Sequence, residues 1–83
     1  MLRISFSDTA EVGKDLKSAF GARVRLLRKK RGWSQERMAE ACGMHWTYIG
    51  QVERGERNLT LQSIQSIAKA LNLKISELFR GLD

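Results

Sequence analysis

Residues 33–55, Trp33-Ser34-Gln35-Glu36-Arg37-Met38-Ala39-Glu40-Ala41-Cys42-Gly43-Met44-His45-Trp46-Thr47-Tyr48-Ile49-Gly50-Gln51-Val52-Glu53-Arg54-Gly55, decide how this chain folds. Ser34 stands where a helix N-cap belongs, Glu36 and Glu40 fall toward the end of the helix that favours anions, and Met38, Ala39 and Cys42 form an apolar face. Gly43 is the residue best able to take a left-handed conformation, so it stops this helix after about two turns and redirects the chain. A second short helix follows from His45 or Trp46 to Glu53 or Arg54, with Ile49 and Val52 inward and Gly55 as its stop. Two short helices joined by a tight turn form a helix-turn-helix unit, whose second helix fits a major groove about 12 Å wide. The geometry explains the composition. Ala39 is small where the helices nearly touch, Gly43 turns, and Ile49 and Val52 hold the second helix to the core. Trp46, Thr47, Gly50, Gln51 and Arg54 are then expected on the outward face.

Outward from this unit the pattern stays helical. Leu16, Ala19, Phe20, Val24 and Leu27 recur at three- and four-residue spacing, predicting an amphipathic helix from Leu16 to Arg31 that ends at Gly32. Arg28-Lys29-Lys30-Arg31 puts cations in its last turn, where the helix dipole favours them. After the polar loop Glu56-Arg57-Asn58-Leu59, Thr60 caps a fourth helix with Leu61, Ile64, Ile67, Ala68 and Leu71 on one face, closed by Asn72. Ser76 caps a short fifth helix carrying Leu78, Phe79 and Leu82, with Ile75 as a hydrophobic staple. The expected fold is therefore all-α, with five helices and one domain over residues 15–83. Residues 1–14 read as an N-terminal arm or extension: Ile4 and Phe6 alternate with serines as in a strand, but a lone strand has nothing to pair with.

Bulk properties narrow the function. The 83 residues carry 15 Lys or Arg against 9 Asp or Glu, a net charge of +6, which points to a polyanion such as double-stranded DNA. No run approaches the ~20 apolar residues of a membrane span, and the N-terminus lacks a secretory core, so a cytoplasmic protein without a membrane partner is expected. Cys42 is the only cysteine, which precludes an internal disulfide. Cys42 and His45 are spaced C-x-x-H, but a structural zinc site needs four ligands and the chain has one Cys and one His. No metal or cofactor is expected. Neither a Ser-His-Asp set nor a Gly-rich phosphate loop is present, so no enzymatic activity is expected either.

The stretches Val24-Arg25-Leu26-Leu27-Arg28, Trp33 to Ala39 and above all Thr47 to Thr60 resemble the Cro and phage-repressor (XRE) type of helix-turn-helix regulator. The likeness covers about Phe20 to Phe79, and the last stretch looks most like the stand-alone controller proteins of restriction-modification systems. It implies a five-helix lambda-repressor-like fold, two-fold dimers and palindromic operators. Trp46, Thr47 and Gln51 fall where the family reads base edges. A glutamine can pair in bidentate fashion with adenine, and a threonine methyl can touch that of thymine. Ser34, Gln35, His45, Tyr48, Arg54, Arg57 and Asn58 match positions on the DNA backbone, the helix start at Gln35 being suited to a phosphate. Arg28 and Glu53 match a salt bridge between the first and recognition helices. Trp46 departs from the polar or arginine side chain more usual at its position.

Plainer readings stay open beside these. Arg28 and Glu53 can be ordinary surface charges, Trp46 and Tyr48 packing residues, Cys42 a small buried residue and His45 a turn residue. Trp33 is expected in the core. The C-terminal apolar residues Leu73, Ile75, Leu78, Phe79 and Leu82 exceed what so small a core needs, which predicts a homodimer interface there. RNA polymerase is an open further partner. A second functional class also fits: an antitoxin-type module that binds both DNA and a partner protein.

Overall fold

The computed structural model describes residues 6–82, with side chains from Leu16 to Leu82. Five helices follow one another: α1 (Phe6–Lys30), α2 (Gln35–Cys42), α3 (Trp46–Glu53), α4 (Leu61–Ala70) and α5 (Ile75–Leu78), with no strand among the described residues. Helix α1 is longer than its apolar stripe. Its backbone is helical from Phe6, so it runs without a break through the point expected to separate arm from domain. Residues 1–5, the rest of that arm, lie outside the described residues.

One core joins all five helices. Phe20, Val24 and Leu27 of α1 meet Met38 and Ala39 of α2, Ile49 and Val52 of α3, Ile67 and Ala68 of α4, Leu71 just after it, and Leu78 of α5. Trp33 is half-buried and packs against the edge of this cluster, with the guanidinium of Arg37 4.9 Å from its ring and that of Arg31 at 5.8 Å. The helices α1 and α3 cross almost backbone to backbone at Gly21. A Cβ there would lie 2.3 Å from the carbonyl oxygen of Val52 and 2.7 Å from that of Glu53.

The short helices begin and end where side chains take over backbone hydrogen bonds. The Ser34 hydroxyl accepts the N–H of Arg37 at 3.0 Å, and the Thr60 hydroxyl accepts that of Ser63 at 3.0 Å. Between α2 and α3, Gly43 sits at φ +69°, and the N–H of Met44 reaches back to the carbonyl of Ala39 at 2.9 Å. Asn72 takes φ +57° after α4.

Two expectations near the C-terminus are corrected. Ser76 does not cap α5: the helix starts at Ile75 after Lys74, whose N–H is taken by the Glu77 carboxylate at 2.8 Å. A carboxylate at the third helical position reaches back to the N–H of the N-cap residue, and its negative charge is favoured at a helix start, so Glu77 fixes the beginning of α5 without a capping hydroxyl. Leu61 does not join the apolar face of α4 but is 84% exposed. It stands at the first position of the helix, outside the stripe that begins at Ile64.

Candidate nucleic-acid interface

Helix α3 stands on the core through Ile49 and Val52 and presents its N-terminal half to solvent. Three consecutive residues, His45, Trp46 and Thr47, are exposed there, and Trp46 keeps 51% of its surface accessible. His45 is the N-cap. Its Nδ1 accepts the N–H of Thr47 at 3.2 Å and also meets the Thr47 hydroxyl. Because Nδ1 accepts from the backbone, the neutral ring carries its proton on Nε2, which faces away from the cap. The indole of Trp46 stacks on this imidazole, with ring centroids 5.8 Å apart and planes 27° from parallel.

The other end of α3 is tied down by charge. Arg28 Nε donates to Glu53 Oε2 at 2.6 Å and Nη2 to Oε1 at 3.1 Å, while Nη1 donates to the carbonyl of Trp33 at 2.7 Å. Gln35 Nε2 adds a further donor to Glu53 Oε1 at 3.1 Å. The two charged side chains are 9% and 3% exposed, so they form a buried pair and not a surface one. Such a pair is tolerable only when its hydrogen bonds are made, and here they are made. The end of α1, the start of α2 and the end of α3 therefore meet on one carboxylate.

This arrangement changes what two positions offer. The Gln35 side chain is committed to Glu53, leaving the backbone N–H groups of the first turn of α2 as its contribution to an anion. Gly50, expected on the outward face, is buried. A Cβ on it would meet Arg54 Nη1 at 3.2 Å and Gln35 Oε1 at 3.5 Å, so these two long side chains lie across it. Arg54 is exposed and paired with Glu56 at 3.0 Å, an arrangement that holds its pKa above the usual arginine value.

Past α3, the loop folds back on the helix. Arg57 Nε donates to Gln51 Oε1 at 2.8 Å, and its guanidinium lies 5.0 Å from the centre of the Tyr48 ring. Tyr48 is half-buried, and its hydroxyl donates to Ser63 Oγ at 3.3 Å. Ser63 also receives the Thr60 hydroxyl at 3.0 Å. Neither Ser63 nor the Gln35–Glu53 link was read from the sequence, where only a serine or glutamine on a polar helix face is visible. Ser34 is exposed and engaged in its cap, while Asn58 is exposed beside a cleft of about 270 Å³ lined by Leu16, Phe20, Leu59 and Phe79.

The C-terminal apolar group divides in two. Leu78 is 0% exposed and belongs to the core, so the expectation that it forms part of a dimer interface is corrected. A four-residue helix has one inward position per turn, and Leu78 occupies it. Leu73, Phe79 and Leu82 are half-buried against the core, Phe79 lying on Phe20 with ring centroids 4.9 Å apart. Ile75 is 48% exposed and shares a shallow cleft with Leu61, Ile64 and Phe79.

Among the described residues, no group of three or more His, Cys, Asp and Glu side chains is placed to hold a metal. Cys42 is half-buried, and burial pushes its thiol up to about 11. No described helix is long and apolar enough to cross a membrane.

A half-exposed helix set on a second short helix across a glycine turn, with its far end pinned to α1, defines a helix-turn-helix protein. Residues 24–78 match the helix-turn-helix family model HTH_3, and the chain belongs to that family, one of DNA-binding regulators and not of enzymes. It is 47% identical over 64 residues to control protein C.SmaI of Serratia marcescens, covering 77% of this chain and 76% of that protein. Control protein C.BamHI of Bacillus amyloliquefaciens is 42% identical over 65 residues, covering 77% and 80%. The crystal structure of the restriction-modification controller protein C.AhdI from Aeromonas hydrophila superposes with a TM-score of 0.73 at 46% identity, over 78% of this chain and 97% of that one.

Proposed function

We infer that this protein is a transcriptional regulator of the controller type, binding a palindromic DNA operator in the cytoplasm as a two-fold dimer. The observation that carries the reading is the exposed N-terminal half of α3 on a base fixed by the Arg28–Glu53 pair, in a chain of net charge +6. Trp46, Thr47 and Gln51 take the base edges. Ser34, His45, Tyr48, Arg54 and Asn58 lie around them as contacts to the DNA backbone, together with the amide of Gln35, whereas Arg57, expected there too, is engaged with Gln51 and Tyr48. Likeness to restriction-modification control proteins supports a role in regulating restriction-modification genes.

Energetics favour two copies. Two or three base contacts at about 1 to 3 kcal/mol each do not span the upper part of the roughly 4 to 10 kcal/mol that separates specific from non-specific binding. Doubling the contacts closes the gap. The exposed pair Leu61 and Ile75, which share a cleft with Ile64 and Phe79, is the apolar surface on which a second copy would sit. Selection from random duplexes at fixed salt tests the whole reading. A palindrome with half-site centres about 10 base pairs apart is the expected product; enrichment of no sequence, with a steep salt dependence, would overturn it.

A further inference from the structure

We infer that Arg57 sets the polarity with which Gln51 meets DNA, so that at this position the protein reads the keto edge of guanine or thymine and not the adenine edge a free glutamine favours. The inference rests on α3 lying in the major groove.

Arginine has five N–H donors and no acceptor, so the Gln51 atom that receives Arg57 Nε at 2.8 Å must be the amide oxygen. That contact fixes which way round the amide stands. Arg57 is itself held on a second side by the face of Tyr48, 5.0 Å from its guanidinium, and the Tyr48 hydroxyl is tied to Ser63. The bond from Arg57 is charge-assisted, and so stronger than one between neutral groups.

With the oxygen engaged by a cation, Gln51 offers the groove its two Nε2–H donors. Bidentate pairing with adenine needs both atoms of the amide, since the oxygen must accept from the adenine N6 amino group while the nitrogen donates to N7. Here one of the oxygen's two lone pairs is already taken by Arg57, and the amino group would have to share that oxygen with a cationic donor. Guanine presents two acceptors, N7 and O6, and thymine presents O4. The same logic disfavours cytosine, whose major-groove group is an amino donor. Arg57 is thus a positioning residue, acting on specificity through Gln51.

The test measures binding of the wild type, Gln51→Ala, Arg57→Ala and Thr47→Ala to an operator obtained by selection, with all four bases substituted in turn at each position at one salt concentration, and repeats the operator binding over a salt series. Arg57 is exposed on a loop, and circular dichroism verifies that its variant folds. The wild type is expected to favour G or T over A or C by about tenfold at one position per half-site, a preference that Gln51→Ala flattens. Arg57→Ala is expected to shift that position toward adenine and leave the others unchanged. A Gln51-dependent position at which the wild type already prefers adenine overturns the inference. So does an Arg57→Ala variant that binds every sequence equally more weakly with a salt slope reduced by about one, the mark of a phosphate contact. If neither Gln51→Ala nor Thr47→Ala alters any base preference, it is the placement of α3 in the groove that fails.

Discussion

Gln35 and Glu53 are joined by a 3.1 Å hydrogen bond from the first turn of α2 to the last turn of α3, on the same carboxylate oxygen that Arg28 holds. The bond makes the helix-turn-helix unit a closed figure: Gly43 joins the two helices at one end and this carboxylate at the other. The angle of α3 is thereby set by charge as well as by the apolar contacts of Ile49 and Val52.

Removing one partner of that pair leaves a buried charge without compensation. Arg28→Met is expected to lower stability by about 3 to 5 kcal/mol in urea denaturation. Replacing both partners, as Arg28→Met with Glu53→Leu, should recover much of that loss. A double variant as unstable as the worse single would show that the pair itself, and not the stranded charge, supplies the stability.

Two buried glycines should respond in opposite directions. Gly21→Ala forces a Cβ to 2.3 Å from a backbone carbonyl that cannot move aside, and a loss of about 3 kcal/mol or more is expected. Gly50→Ala meets only the far ends of Arg54 and Gln35, which can shift by tenths of an ångström, while alanine gains up to about 1 kcal/mol of helix propensity. Thermal unfolding of the two variants should straddle the wild type.

Base reading by α3 predicts that Gln51→Ala weakens operator binding by about 1 to 3 kcal/mol and relaxes one base position, with little change on random DNA. Competition binding against both DNAs checks this. Equal loss on each would assign Gln51 to the backbone.

At the C-terminal end, Leu61→Asp combined with Ile75→Asp should yield a folded monomer by sedimentation, because both side chains are exposed within one chain. Leu78→Ala should instead destabilise the monomer itself by about 2 to 5 kcal/mol, since Leu78 is wholly buried.

Cys42 should behave as a packed residue. Burial favours the neutral thiol, so at pH 7 to 8 the thiolate fraction is smaller than in a free cysteine, and alkylation should be slow. The rate should climb as pH rises toward about 11 and match that of free cysteine once the chain is unfolded in urea. Fast reaction of the folded protein near neutral pH would contradict this.

The helices of this protein were legible in the sequence because the signals are local. Ser34, Gly43, Gly55 and Thr60 each act on backbone within a few residues of themselves, and the spacing of Phe20, Val24 and Leu27 is a property of one helix. The start of helix α5 was misread by two residues, Ser76 for Lys74, because Ser76 and Glu77 offer rival ways to begin the helix, and sequence does not rank them. Leu61 and Leu78 exchanged their expected places for a related reason: periodicity shows that a helix has an apolar face but not where its end falls relative to the core.

What the sequence determined by itself is the order of helices, the turn at Gly43, the basic charge and the family to which these belong, since each follows from spacing or composition along the chain. Tertiary structure alone decided that Gln35 turns to Glu53, that Gly50 lies beneath two long side chains, that Gly21 admits the backbone of α3, and that Arg57 takes the oxygen of Gln51. These are meetings of atoms brought together by packing, and the direction of a long polar side chain depends on the partners within its reach, which a one-dimensional pattern does not contain.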